Sequence, residues 1–280
     1  MADRDNFIRE SMRHSWGQRT AAYTDYAAPR TAAYTDLLLN RIGLREGERV
    51  LDVACGPGVV ALPAAAAVAA RGHVVATDLA PEWGAVIERR AAEAGLTNVT
   101  FRAMGAEALD LPDAAFDVVL CQFGLMFVPE PVTALREMRR VLRSGGRLGV
   151  VVWSTAETVP CVVVPNRVLA AILPPPTPQE RLPGPLELSR AGLLEELVAE
   201  AGFREIAVER QTCDYIVEDP EMLWRYHADE GPPPVRAAVA ALDPAARRDL
   251  HDQMIAAAEA YRREGSIRLP SEAIYAMATR

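Results

Sequence analysis

Two glycines and two acidic residues stand where successive apolar runs of the chain end. Asp52 lies within Val50-Leu-Asp-Val53, and Gly56 and Gly58 follow that run. Glycines between a strand and a helix let the backbone approach a ligand closely and aim the helix N-terminus at it. Asp78 ends the next apolar run. It follows the glycines by about 20 residues, the sequence spacing at which nucleotide-binding motifs place a carboxylate that accepts hydrogen bonds from ribose hydroxyls. The pattern predicts a site for a ligand that contains a ribose.

The glycine pair alone leaves more than one interpretation open. Gly56-x-Gly58-x-x-Ala61 fits the fingerprint of nicotinamide cofactors, and a tight turn without any ligand also uses glycines. Asp52 stands four residues before Gly56, where the nicotinamide fingerprint requires no acid. The structural alternative for Asp52 and Asp78 is the capping of loops.

The sequence around these residues resembles the class I S-adenosylmethionine-dependent methyltransferases. Val50–Gly58 is similar to motif I of that family, which reads hydrophobic-hydrophobic-Asp-x-x-x-Gly-x-Gly. Four more segments resemble, in order, the family's second strand with its ribose-binding acid, its adenine loop, its fourth strand and the approach to its fifth strand: Val74–Asp78, Met104–Pro112, Phe116–Val119 and Ala134–Leu148. The resemblance covers about residues 45–155 and is strongest to the branch of ubiquinone and menaquinone ring methyltransferases.

This resemblance implies that S-adenosyl-L-methionine is the cofactor. Asp52 is expected to attract the cofactor's ammonium group, Gly56 and Gly58 to leave room for its methionine portion, and Asp78 to accept from both ribose hydroxyls. The end of the fourth strand is expected beside the sulfonium, where an aromatic face favours a cation. The expected cofactor-binding residues are Tyr23, Asp52, Ala54, Gly56, Gly58, Asp78, Leu79, Gly105, Ala106, Glu107, Cys121, Gln122 and Phe123.

The adenine loop departs from the family's pattern. Met104, Gly105 and Ala106 stand where the family commonly has Gly-Asp-Ala, so the aspartate that accepts from the adenine amino group is missing. The backbone amide of Ala106 can still donate to the ring. Glu107 is expected to substitute in part for the missing acceptor.

The motifs that are missing and the apolar residues that are present both indicate which class of molecule accepts the methyl group. Gln122–Leu125 differs from the Asn/Asp-Pro-Pro-aromatic block used on adenine or glutamine nitrogens, and no Pro-Cys nucleophile for cytosine stands there. We expect a small lipophilic or aromatic metabolite of secondary metabolism, methylated on oxygen or carbon. Residues of the cap and pocket that suit it are Trp16, Tyr23, Met126, Phe127, Trp153, Tyr215 and Trp224.

No general base stands out in the sequence. His227 and His14 are the candidates, and a satisfied core or surface histidine is the alternative for each. Because a fold does not fix its chemistry, two rivals to methyl transfer stay open. One is a cyclase-like enzyme that binds S-adenosylmethionine without methylating, and the other is a nicotinamide-dependent reductase.

Short apolar strands alternate with helices from Arg49 to Trp153, which predicts a parallel sheet covered on both faces. Strands are expected at 50–53, 74–77, 99–101, 116–121, 147–153, 206–217 and 273–279, with a Pro-rich irregular segment at 154–186. Asp219 and Asp243, each followed by proline, predict helix starts. The fold class is α/β: a Rossmann-like class I methyltransferase fold, mostly parallel and seven-stranded, with an antiparallel last strand and a helical cap.

The chain divides into a lid, a core and an insertion. Residues 1–46 are the expected N-terminal helical lid, 47–217 and 269–280 the Rossmann-like core, and 218–268 a helical insertion that adds to the cap. The lid repeats Thr-Ala-Ala-Tyr-Thr-Asp from Thr20 and from Thr31, and Pro29 is expected to break the helix between them. Tyr23 is expected to contact the cofactor, as the family's N-terminal lid tyrosine does, and Tyr34 to pack as scaffold.

The composition of the chain limits the classes of molecule that it is expected to bind. The formal net charge is −8 and every basic residue is arginine, so the positive field that nucleic acids need is missing. The four cysteines are widely separated and the four histidines are isolated, which predicts free thiols and no metal site. The chain shows neither a secretory leader nor an apolar run of about 18 residues, so we expect a cytoplasmic protein without a membrane span. Nothing in the sequence indicates its oligomeric state.

Overall fold

A mixed β-sheet forms the centre of the computed structural model, which describes residues 2–174, 177 and 181–280. Its strands are β1 (Arg49–Val53), β2 (His73–Asp78), β3 (Val99–Ala103), β4 (Phe116–Gln122), β5 (Leu142–Trp153), β6 (Arg204–Val217), β7 (Arg262–Arg263) and β8 (Ser266–Thr279). The order is β3-β2-β1-β4-β5-β8-β6, and the short β7 pairs with β8. β1 to β5 pair in parallel, whereas β8 is antiparallel to β5 and β6. The predicted fold class is confirmed.

Helices surround this sheet and extend beyond it at both ends of the chain. They are α1 (Ala2–Gly17), α2 (Thr20–Ala22), α3 (Ala28–Arg30), α4 (Ala32–Ile42), α5 (Ala61–Val68), α6 (Trp83–Glu93), α7 (Pro131–Val141), α8 (Pro160–Leu169), α9 (Leu193–Glu200), α10 (Pro220–Trp224), α11 (Pro233–Ala240) and α12 (Pro244–Glu259). The Asp219 side chain accepts from Glu221 N, and that of Asp243 from Ala245 N and Ala246 N. Both predicted helix starts are therefore confirmed.

The N-terminal repeats do not separate at Pro29 as expected. Tyr23–Ala27 forms a π-helical turn and Pro29 lies in α3 directly after it. The widened turn carries the helix past a residue that has no N–H to donate. Between residues 20 and 42 the helical conformation is interrupted only at Thr31, the N-cap of α4.

The second repeat covers the sheet. Leu38 of α4 packs on Gly149 of β5, where an added Cβ would lie 2.8 Å from Leu38 Cδ1. Tyr34 is fully buried, and its hydroxyl donates to Ser271 O at 2.8 Å and to Cys213 O at 3.1 Å. Tyr34 thus ties α4 to β8 and β6, so the predicted lid 1–46 contains one helix that is part of the sheet's own packing.

Three elements differ from those predicted by more than two residues. The segment expected to be irregular contains α8, which begins at Pro160 because proline at the first helical position is already set to a helical φ; Pro175, Pro176 and Pro178 lie outside the described residues. β5 begins at Leu142, directly after α7, rather than at the predicted position 147. β8 begins at Ser266 although Pro270 follows, since at Pro270 the strand pairs with β6 alone and β5 begins to pair only at Ala273.

Candidate functional site

A cleft opens at the carboxyl edge of the sheet. The strand order reverses between β1 and β4, and ligands of open α/β sheets bind at such a switch point. Asp52, Asp78 and Gln122, near or at the ends of β1, β2 and β4, all line the cleft. The parallel strands therefore bring together side chains that are far apart in the sequence.

The Asp52 carboxyl group is buried at the base of this cleft. The residue is 1% exposed, and its Oδ2 has no hydrogen-bond partner among the described residues. Desolvation raises the pKa of Asp52 well above its ordinary value. A buried carboxyl oxygen without a partner is destabilising, and a cationic group of a ligand in the cleft would supply the missing partner.

Asp78 ends β2 with both carboxyl oxygens held by backbone amides. Gly56 N donates to Oδ2 and Ala80 N to Oδ1, each at 3.0 Å. Each oxygen keeps a further lone pair for a ligand. Burial raises the pKa of Asp78 to about 6, so the group is ionised at neutral pH and acts as an acceptor.

Strained and tightly packed loops shape the floor of the cleft. Ala54 and Phe123, which follow β1 and β4, have φ of +56° and +55°, a region that residues other than glycine rarely adopt. A Cβ added at Gly124 would lie 2.4 Å from the Cβ of Ala54. The two loops therefore rest directly on each other, and strain of this kind concentrates at binding sites.

The loop after β3 closes one side of the cleft. Met104, Gly105 and Ala106 line it, as does Glu107. The Glu107 carboxylate accepts from Arg9 Nε at 2.8 Å and Arg9 Nη2 at 3.2 Å, and also from the Glu130 amide. Glu107 is thus paired with α1 while it lines the cleft, and its part in accepting from an adenine amino group stays a prediction.

All but two of the expected cofactor-binding residues line the cleft. Gly58 does not: its φ is +81°, and a Cβ there would lie 2.6 Å from Ile87 Cδ1, so this glycine serves a turn and the packing of α6 rather than ligand space. Cys121 is 1% exposed and lies beneath the cleft, where a Cβ at Gly124 would be 3.1 Å from its Sγ. The structure therefore places both residues next to the cleft rather than in its lining.

A second cavity adjoins the cleft. Trp16 is edge-on to Tyr23 and to Phe127, with ring centroids 5.5 and 5.3 Å apart, and Phe123 stacks on Trp153 at 4.0 Å. These rings make the wall between the two spaces, and the residues that line both are Met12, Trp16, Tyr23, Thr31, Phe123 and Phe127.

Most of the aromatic and apolar residues expected in the pocket line this second cavity. Met126, Phe127, Trp153 and Tyr215 do so, together with Trp16 and Tyr23. Trp224 does not line it, since its indole packs within the insertion and donates from Nε1 to Asp229 Oδ2 at 3.1 Å.

The structure separates the two histidines considered as general bases. His227 lines the second cavity, where burial and the nearby Arg19 charge lower its pKa to about 3. Its imidazole is neutral at pH 7 and a weak proton acceptor. His14 is exposed on α1 and hydrogen-bonds to Gln18 Nε2 at 2.8 Å, outside both cavities. The face of α1 that carries Arg9, Met12 and Trp16 points into the cleft, so His14 faces solvent, which corrects its candidacy.

Several lining residues escaped the sequence analysis. Arg9, Met12, Thr31 and Trp83 line the cleft, and Arg19 lines the second cavity. Only the helical spacing of Arg9, Met12 and Trp16 was available as a signal for the face that α1 turns inward. No local motif marks the others, because their positions depend on where the helices dock.

Neither a group of metal ligands nor a membrane-spanning helix is found in the described part of the chain. No cluster of three or more His, Cys, Asp or Glu residues could hold a metal ion there. Within residues 2–174, 177 and 181–280, no helix combines the length and apolar character needed to cross a membrane.

Comparison with known proteins gives relatives for this architecture. An uncharacterized protein of Mycobacterium tuberculosis is 43% identical over 118 residues, which are 42% of each chain. Aklanonic acid methyltransferase DauC of a Streptomyces species is 38% identical over 102 residues, 36% of this chain and 46% of that protein. Demethylmenaquinone methyltransferase of Geobacillus kaustophilus is 38% identical over 109 residues, 39% of this chain and 47% of that protein. The chain spans less than half the length of these curated relatives.

A solved structure matches over most of the chain. The [4+2]-cyclase SpnF superposes with a TM-score of 0.57 and 25% sequence identity, covering 89% of this chain and 81% of that protein. The model of the ubiE/COQ5 methyltransferase family matches residues 31–175, which include the loops after β1, β2 and β4. The chain therefore belongs to the ubiE/COQ5 methyltransferase family, within the class I S-adenosylmethionine-dependent methyltransferases.

Proposed function

We propose that this protein transfers a methyl group from S-adenosylmethionine to a small, mainly apolar metabolite held in the second cavity. The observation that carries the proposal is the pair of adjoining spaces, which share the wall made by Tyr23, Phe123 and Phe127. A ligand in the cleft and a second ligand in the cavity would meet at this wall. Holding two reactants in contact supplies much of the rate of such a reaction.

The residues of the cleft fit S-adenosylmethionine, which the family membership gives as the cofactor. The unpartnered Asp52 Oδ2 suits the amino-acid ammonium group, and Asp78 has lone pairs for the ribose hydroxyls. When bound, the cofactor supplies an electrophilic methyl group on a sulfonium. Phe123 and Tyr23 present aromatic rings to the shared wall, where such a cation is stabilised.

The second cavity favours an oxygen or carbon acceptor over an amine. None of the described residues that line it is acidic, so an ammonium group would find no counter-charge there. Its aromatic and aliphatic lining suits a lipophilic or aromatic body. The neutral, weakly basic His227 can form a hydrogen bond with the substrate that receives the methyl group. A substrate that enters the cavity already ionised needs no general base. A nucleic acid acceptor is disfavoured by the net charge of −8.

Methyl transfer is tested with a cofactor that carries a labelled methyl group. The protein is incubated with it and with a metabolite extract of the source organism, and label is expected in an organic-soluble small molecule. Added S-adenosylhomocysteine should suppress that label because it would occupy the same cleft. Cofactor binding in calorimetry with no transferred label would contradict the proposal.

A cyclase-like role without methyl transfer is the second candidate. The likeness to the [4+2]-cyclase SpnF over 89% of the chain favours it. A cyclase would bind S-adenosylmethionine, release no S-adenosylhomocysteine and convert an acceptor to an isomer of equal mass. Mass spectrometry of the same incubation separates the two candidates, since methyl transfer adds a methylene unit to the product's mass.

We further propose that residues 2–30 act as a lid that opens for ligand exchange. Arg9, Met12, Trp16 and Tyr23 wall the cleft, and the pair of Arg9 with Glu107 fastens α1 to the loop after β3. Segments that open for exchange belong to the less stable parts of a fold. S-adenosylhomocysteine is therefore expected to slow backbone hydrogen exchange in residues 10–30, measured by mass spectrometry.

Helix α9 (Leu193–Glu200) is the internal control for that measurement, because none of its residues lines the cleft or the second cavity, and it should exchange equally in both states. Arg9→Gln should raise exchange of α1 in the unliganded protein. Equal protection of residues 10–30 with and without ligand would show that no such closure occurs.

A further inference from the structure

Arg19 lies between α1 and α2 and lines the second cavity. The residue is only 8% exposed. Arginine side chains are mostly exposed to solvent and are rarely buried without a partner. Its guanidinium carbon is 4.8 Å from the centroid of the Tyr226 ring and 5.6 Å from that of Trp16. A permanent positive charge therefore stands inside a cavity that is otherwise mainly aromatic and aliphatic.

This charge has no counter-ion among the described side chains. Arg19 Nε donates to Glu230 O at 3.0 Å, and Nη2 approaches Tyr226 O at 3.5 Å. Both of these acceptors are backbone carbonyls, and the Tyr226 side chain is a further hydrogen-bond partner. No described carboxylate forms an ion pair with Arg19 within 4.0 Å. Arg30 shows the contrast: its side chain is 7% exposed and stacks over Tyr26, but it is paired with Glu218 at 2.9 Å.

Arg19 has N–H donors that these contacts leave unused. The guanidinium group carries five N–H donors, and the two contacts with carbonyls use only part of them. Burying an uncompensated charge is strongly destabilising, and a bound anion would offset that penalty. Since none of the described lining residues is acidic, the anion must come from the ligand.

We propose that the acceptor carries a carboxylate that pairs with Arg19 in the second cavity. This inference rests on the proposed function, in which the second cavity holds the acceptor. A carboxylate matches the planar fork of a guanidinium group and binds it through two parallel hydrogen bonds. The substrate class is thus an aromatic or lipophilic carboxylic acid.

The carboxylate is a recognition group rather than the methylated atom. Arg19 lines the second cavity and not the cleft, whereas Tyr23, Phe123 and Phe127 line both. An acid anchored at Arg19 would direct another part of its body to the shared wall. Arg19 is therefore an acceptor-binding residue that sets specificity and orientation.

The test uses pyrene-1-carboxylate and its neutral isostere pyrene-1-carboxamide as probes. Their dissociation constants are measured by calorimetry at pH 7 with the cleft saturated by S-adenosylhomocysteine. The wild-type protein is expected to bind the carboxylate about tenfold or more tightly than the amide, as for a hydrogen bond to a charged group. Arg19→Gln should remove this preference, and Arg19→Lys should keep part of it.

Arg30→Gln is the matched control, because the Arg30 side chain is also buried but lies outside the second cavity. It should leave the preference unchanged. Binding of S-adenosylhomocysteine by Arg19→Gln, at wild-type affinity, shows that the variant is folded. Equal affinity of the wild-type protein for the two probes, or binding of neither, would overturn the proposal. The readout needs no methyl transfer, so failure of this inference and failure of the proposed activity are distinguishable.

Discussion

Asp52→Asn should weaken the binding of S-adenosylhomocysteine by about 1.5–3 kcal/mol, the range for hydrogen bonds to charged groups. The carboxyl group is buried, its Oδ2 lacks a partner in the described chain, and an ammonium group of the ligand would supply one. An amide of the same size cannot balance that positive charge. Calorimetry on the wild-type and variant proteins measures the loss.

The same substitution should not lower the thermal midpoint of the unliganded protein. Desolvation raises the pKa of Asp52, which means that the buried carboxylate opposes folding at neutral pH. Asp117→Asn is the control: Asp117 is on the same sheet, but its carboxylate accepts from Arg49 N at 2.8 Å and pairs with Arg143 at the other edge. It should lower stability and leave affinity unchanged. Unaltered affinity in Asp52→Asn would place the ligand's ammonium group elsewhere.

Asp78→Ala should weaken the binding of the cofactor at least about tenfold. Removing a charged hydrogen-bond acceptor is expected to lower the binding free energy by about 1.5–3 kcal/mol. Two ribose hydroxyls would lose their acceptor. The Gly56 and Ala80 amides would lose theirs as well, so the loop after β1 would also become less ordered. Asp78→Asn keeps one carbonyl oxygen and should show an intermediate loss. An unchanged dissociation constant would move the ribose to another part of the cleft.

The affinity of the wild-type protein should also depend on pH through Asp78. Burial raises the pKa of this carboxyl group from 3.8 to about 6, so in the folded state it takes up a proton at higher pH than in the unfolded chain. Its ionisation therefore lowers the free energy of unfolding as pH rises between these values. Ribose hydroxyls bind the ionised form, so affinity should fall as the pH drops below about 6, by up to about tenfold per unit.

Calorimetry from pH 5 to 8 checks this dependence. In Asp78→Ala the decrease in affinity that comes from protonation of Asp78 should disappear. In Asp117→Asn this decrease in affinity should persist. A wild-type affinity that is flat between pH 5 and 7 would mean that the Asp78 carboxylate does not contact the ligand.

The sequence by itself determined the sheet and the floor of the cleft. Runs such as Val50–Val53 and Val74–Asp78 are short, apolar and separated by helices, and this alternation is typical of a parallel sheet covered on both faces. Parallel strands end at one edge, so Asp52 and Asp78 had to approach each other there. The glycines between strand and helix fixed the loop that lies beside them. These are local patterns, and they determine local geometry wherever the helices dock.

Only the tertiary structure decided what closes the cleft and what lies beyond it. Arg9 finds Glu107 across 98 positions of sequence, and Arg19 meets the backbone of Glu230 across 211. Gly58 became a packing residue because α6 places Ile87 against it. Contacts of this range depend on how amphipathic helices are oriented on the sheet, and helical periodicity gives the buried face of a helix but not its partner. The acceptor cavity is therefore a property of the assembled fold, which no single segment encodes.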